Sequence, residues 1–130
     1  MKTLFCYWPT AIVVAVIIYA TLFPHPVGAD ELPVIPGIDK LIHAIMFGGL
    51  TGALIFDYAR SHDRTLPSRG IAALFALAST LAGGGIELLQ DAMQLGRGAD
   101  IYDFIADAAG AFAAFFIAPA AVRAVLRRGR

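Results

Sequence analysis

Eight of the ten acidic and eight of the ten basic residues of this chain are sorted to opposite ends of four apolar stretches, and that sorting narrows what it can fold into. The stretches run from Leu4 to Phe23, Leu41 to Phe56, Ile71 to Ile86 and Phe104 to Val122, the last with Asp107 inside it. Lys2, then Arg60, Arg64 and Arg69, then Arg123, Arg127, Arg128 and Arg130 occupy the N-terminus, the middle link and the tail. Asp30, Glu31, Asp39, Glu87, Asp91, Asp100, Asp103 and Asp107 occupy the alternate ends, accompanied there only by the cations Lys40 and Arg97. A chain patterned this way crosses a membrane four times, and the cytoplasmic bias of lysine and arginine puts both termini inside. The expected fold is all-α: an integral membrane four-helix bundle, a single domain over residues 1–130 with helices at about 4–23, 39–59, 70–92 and 100–122.

Composition agrees, since 58% of the residues are apolar and 15% charged, against about a quarter charged in soluble domains. No basic stripe interleaved with aromatics is present, so nucleic acid is not an expected partner and the lipid bilayer is. The single cysteine, Cys6, allows no internal disulfide, and no Cys/His run has zinc-finger spacing. Pro24, Pro26, Pro33 and Pro36 with Gly28 and Gly37 break the chain after the first stretch, Pro67 and Gly70 after the second, and Gly96 and Gly98 after the third. Lys2, the first apolar run and Val27-Gly28-Ala29 resemble a cleavable secretory signal, but the run exceeds the about 7 to 15 residues typical of one. Tyr7 and Trp8 suit a membrane interface. Gly48 and Gly52 on the second helix, Ala106, Gly110 and Ala114 on the fourth, and Gly83, Gly84 and Gly85 on the third allow close helix approach, within the bundle or in a homo-oligomer.

Chemistry is expected where the acidic ends meet. Asp39 and His43 stand four residues apart, one turn along one face; Glu87, Gln90, Asp91 and Gln94 share another; Asp100, Asp103, Asp107 and Gly110 share a third. Counting from Ile71, Glu87 lies about 24 Å along its helix at about 1.5 Å per residue, inside a hydrocarbon core about 30 Å thick. A carboxylate facing lipid at mid-membrane costs about 2.5 to 3.5 kcal/mol on insertion scales, so Glu87 and Asp107 are expected to face the bundle interior. Lys40 and Arg97 cannot pair all of these carboxylates. The remainder must be protonated, hydrated or bound to a ligand or cation.

Asp39-Lys40-Leu41-Ile42-His43, then Glu87-Leu88-Leu89-Gln90, then Arg97 followed by Asp100, Asp103, Asp107 and Gly110, resemble the VanZ-like membrane protein family over roughly residues 35 to 115. Members usually carry asparagine where this chain has Asp107, four residues after the second aspartate, which adds a charge to the site. The resemblance implies a small multi-pass protein of the bacterial inner membrane, from a family named for low-level resistance to the glycopeptide teicoplanin. It points to cell-envelope precursors as partners.

From the residues themselves, Glu87, His43 and Asp103 are the candidate catalytic groups. Glu87 would transfer a proton from apolar surroundings, and His43 would act as acid, base or metal ligand. The bland alternatives are a histidine hydrogen-bonded to Asp39 or Glu87, and a Glu87 ion pair with Lys40 or Arg97. Arg97, Lys40, Asp39, Gln90 and Asp107 are the candidate ligand-binding residues, Arg97 for its fork geometry toward carboxylate or phosphate. Asp103, Asp107, Glu87 and His43 also form a donor set for a divalent cation. Asp100 suits a helix cap. The leading expectation is an outward-facing site for an anionic envelope molecule such as a lipid-linked precursor, with acid–base chemistry open. Its rival is a non-catalytic module whose charges knit the helices and whose glycine faces dock a partner. A transporter is disfavoured, because Thr51, Ser79 and Thr80 are the main polar residues in the inner helix halves, unless the third helix unwinds at Gly83 to Gly85.

Overall fold

The computed structural model describes residues 4–24, 26, 28–31, 33, 35–94 and 98–129. Among these, four α-helices carry the fold: α1 (Trp8–Leu22), α2 (Ile38–Ser61), α3 (Arg69–Met93) and α4 (Ile101–Arg128). A turn of tighter helix, Leu4–Tyr7, leads into α1, and another, Ala29–Glu31, lies in the link to α2. All four main helices are long and apolar enough to cross a membrane, α1 together with the turn before it.

Local chemistry sets the ends. Pro9 sits in the first turn of α1, where its missing N–H is not needed. Gly37, before α2, has a φ of 82°, a conformation that glycine adopts without strain. The Ser68 hydroxyl accepts from the Ile71 N–H to start α3, and the Asp100 carboxylate accepts from the Tyr102 N–H at 2.8 Å to start α4. α4 continues to Arg128, beyond the apolar run that ends at Val122, and passes through Pro119. An internal proline frees only one backbone carbonyl, and membrane helices tolerate it where neighbours compensate. α3 runs unbroken through Gly83, Gly84 and Gly85, so the unwound segment that a midplane transport site would use is absent from it.

The helices alternate in direction. Arg64 at the end of α2 donates to the Leu126 carbonyl near the end of α4, and Thr10 at the start of α1 donates to Asp57 near the end of α2. At the opposite end Lys40 of α2 reaches Asp100 and Asp103 beside and within α4, and Gln90 of α3 donates to the Thr21 carbonyl of α1. One end of the bundle therefore carries Arg60, Arg64, Arg69, Arg123, Arg127 and Arg128, and the other carries the acidic cluster. Two apolar cores separate them, Ile17, Phe47 and Leu50 nearer the acidic end, and Ile55, Ala59, Ala72 and Val122 nearer the arginines. Leu74, Leu81, Ile45, Phe116 and Ile117 point outward and suit a bilayer.

The α2–α4 contact is the most intimate. A Cβ placed on Gly110 would overlap the Ala44 backbone, and one on Gly48 would lie 3.0 Å from the Gly110 carbonyl oxygen. Gly48 and Gly110 thus let α2 and α4 pack closely within the chain. Gly110→Ala should lower stability by at least the about 1 to 3 kcal/mol typical of overpacking. Gly49→Ala, one residue from Gly48 but with no atom within 4 Å of the new methyl, should be near neutral. Thermal melting in detergent distinguishes the two.

α1 is fastened at both ends. The first backbone N–H groups of a helix lack intrahelical acceptors, and the residue before α1, Tyr7, supplies no side-chain cap. Asp57, fully buried, supplies it from the neighbouring helix by accepting from the Thr10 N–H at 2.9 Å and the Thr10 hydroxyl at 2.6 Å. Arg60, which contacts Asp57 at 3.4 Å, donates to the Cys6 carbonyl and lies over the Trp8 ring. Asp57→Ala should therefore cost about 1.5 to 3 kcal/mol, the range for hydrogen bonds to a charged group, and should increase proteolysis of α1 first.

Candidate functional site

Helix direction brings the first turns of α2 and α4 and the last turns of α3 to one end, and their charged residues form a connected cluster. Lys40 is its hub. Its Nζ donates to Asp39 at 2.8 Å, Asp100 at 2.8 Å and Asp103 at 2.6 Å. Among the described residues it is the only lysine or arginine bonded to these carboxylates. Asp39 lies at the rim, its side chain 61% exposed. Lys40 and the Tyr102 N–H hold the Asp100 carboxyl below its ordinary value near 3.8.

Below Lys40 lies a drier layer. His43 Nδ1 is 2.8 Å from Asp107 Oδ1, and its Nε2 is 3.6 Å from Asp103 Oδ2. Asp107 is fully buried. The space it fills exists because position 83 is glycine: a Cβ there would lie 2.5 Å from Asp107 Oδ2. Glu87 is 5% exposed and accepts the Asp100 backbone N–H on Oε2 at 2.8 Å. Glu87 Oε1 and Asp107 Oδ2 are buried and have no hydrogen-bond partner among the described residues. Such oxygens are costly in an apolar setting unless something polar or positive reaches them.

His43, Glu87 and Asp103 converge, with one donor atom from each inside a 4.8 Å span. Asp107 joins them through His43. His43 takes Asp107 as its partner rather than Asp39 or Glu87, because α2 and α4 cross closely at Gly110 and bring the second turn of α4 against the imidazole. Glu87 is not paired with Lys40, whose three bonds go to aspartates. Gln90 stands apart: it turns to α1, where its amide donates to the Thr21 carbonyl at 2.7 Å. Arg97 lies outside the described residues. Asp91 is exposed.

Two residues that matter here escaped the sequence reading. Gly83 looked like one of three packing glycines, and only the contact with Asp107 distinguishes it. Asp57 was legible as an ionisable residue inside an apolar helix with Arg60 one turn on, a pattern that marks a buried pair.

Beside Glu87 a cleft of about 600 Å³ opens between α3 and α4, lined by Leu81, Gly84, Gly85, Leu88, Ile101 and Phe104 and reaching Asp100. Its walls are mostly apolar, and one end touches the carboxylates. No protein-family model matches the chain, and searches of curated proteins and of solved structures return no match either.

Lys40 links the rim to acid stability. A depressed carboxyl contributes stability that is complete above its unfolded value, about 3.9, and is lost as pH falls through the folded one. The melting-temperature gap between wild type and Lys40→Met should be open at pH 6 and should narrow as pH drops below about 4. A constant gap across that range would show that the Asp100 bond contributes nothing.

Proposed function

We propose that this chain is a VanZ-like multi-pass protein of the bacterial inner membrane, with both termini cytoplasmic and its acidic cluster facing outward. There it binds the headgroup of an anionic, lipid-linked envelope component and acts on it by acid–base chemistry. The orientation is supported by the six described arginines gathered at the other end. The family reading is supported by the three ordered motifs that begin at Asp39, Glu87 and Arg97.

The observation that carries the proposal is Glu87 Oε1, a buried and unpartnered carboxylate oxygen on a residue that lines an apolar cleft between α3 and α4. A lipid's chains match Leu81, Leu88, Ile101 and Phe104, and its polar head would then arrive at Glu87 and Asp100. Glu87, His43 and Asp103 are the residues assigned to proton transfer, with Asp107 orienting the imidazole. Lys40 positions Asp103 and Asp100, and Asp39 completes the rim. Arg97 would contribute a phosphate- or carboxylate-binding fork. A purely structural cluster would leave no buried carboxylate oxygen unpaired and no adjoining space, which is why the interaction-module reading ranks second.

Under this proposal, Glu87→Gln, His43→Ala and the cleft-filling Leu88→Trp each return teicoplanin susceptibility to that of cells lacking the protein, at matched membrane abundance. Lipids co-purifying with wild type should fall several-fold in Leu88→Trp by mass spectrometry. Unchanged susceptibility and unchanged lipid content in all three variants would remove the proposal and leave the structural reading.

A further inference from the structure

The acid–base reading leaves a sign problem. Five carboxylates, those of Asp39, Glu87, Asp100, Asp103 and Asp107, surround one bonded ammonium among the described residues. A bare phosphate would be repelled from such a site, and two of the buried carboxylate oxygens have no partner among the described residues.

The donor geometry offers a resolution. His43 Nδ1 is engaged by Asp107 at 2.8 Å, the carboxylate–histidine arrangement that fixes the tautomer of a metal-binding imidazole and leaves Nε2 as the ligand atom. That Nε2 lies 3.6 Å from Asp103 Oδ2. Two donors on a tetrahedral centre with bonds of about 2.1 Å stand about 3.4 Å apart, so this pair already has nearly the required spacing. Asp103 Oδ1 is held by Lys40, which aims the other oxygen at the histidine. Glu87 is oriented by the Asp100 N–H on Oε2, while Oε1 is buried and unpartnered. One donor from each of the three residues fits within 4.8 Å.

We propose that His43, Glu87 and Asp103 hold a divalent transition-metal cation of the Zn²⁺ or Mn²⁺ type, with Asp107 and Lys40 orienting its ligands. This deepens the reading of the site given above, with these three side chains serving as ligands rather than as proton carriers while the ion is bound, and rests on it for the purpose of the ion, though not for its binding. One imidazole and two carboxylates are a donor set that suits these ions. Three protein ligands leave a coordination position open, and a cation there turns an acidic site into one that attracts a phosphate or carboxylate head.

The test uses untagged, full-length protein in nanodiscs, stripped with EDTA, reloaded with Zn²⁺ or Mn²⁺, desalted, and assayed for metal content and by titration. The expected result is about one equivalent bound, with X-ray absorption showing nitrogen and oxygen donors and no sulfur. Asp107→Asn should weaken binding about 10- to 100-fold, as loss of an orienting carboxylate does, and His43→Ala and Glu87→Gln should weaken it further. Because these variants could lose the fold, each is melted in its stripped form, and the wild-type spectrum is read independently of them. A wild-type protein that retains neither ion after desalting overturns the proposal, as does retention by correctly folded His43→Ala at wild-type affinity. Ion binding that vanishes in His43→Ala while teicoplanin susceptibility and lipid content never change would sink the envelope-lipid reading and leave the cation site standing. The opposite pattern sinks the cation site alone.

Discussion

The bundle depends on the absence of side chains where α2 meets α4. Gly110 lies so near the Ala44 backbone that no Cβ fits, and Gly48 approaches the Gly110 carbonyl in turn. In lipid, helices gain little from hiding apolar surface, so close backbone packing carries the association. That crossing has a consequence for the charges: it brings His43 of α2 within hydrogen-bond reach of Asp107 of α4, and Lys40 within reach of Asp103. A wider separation of the two helices would break both contacts and strand His43 and Asp107 in the drier layer.

The acidic end is built on the same economy. Gly83 leaves room for the Asp107 carboxylate, and Gly84 faces the Phe104 ring. The polar residues nearer the membrane centre are treated differently. The Thr51 and Thr80 hydroxyls donate back to carbonyls of their own helices, to Phe47 and Ala76. They satisfy themselves locally and offer no relay. Among the described residues the buried side-chain oxygens without a partner are Ser79 Oγ, Glu87 Oε1 and Asp107 Oδ2, and of these Glu87 lines the cleft between α3 and α4.

Much of the architecture was legible in the chain. Four apolar runs separated by proline, glycine and charge require four helices, and consecutive membrane spans cross in opposite directions, so residues at alternate ends must gather. Partner choice was not legible. Asp39 shares a face with His43 one turn away, yet the imidazole bonds Asp107, because Asp39 sits at the exposed rim and is taken by Lys40. Gln90 shares periodicity with Glu87 but stands about 60° around the helix from it at 3.6 residues per turn, enough to face α1 instead. α1 itself showed no sign of its anchor, since the acceptor for Thr10 lies 47 residues further along the chain.

By itself, the sequence determined that this is an all-helical bundle with four helices of membrane-spanning length, and that most of its arginines and most of its carboxylates lie at opposite ends, because hydrophobic length and charge are local properties of a chain. Only the tertiary structure decided which carboxylate orients His43, which oxygens are left without partners, and that three donors from three helices converge. Those outcomes depend on interhelical distances set by where two glycines let backbones touch. Pairing across helices is a property of packing, and the periodicity of one helix carries no record of it.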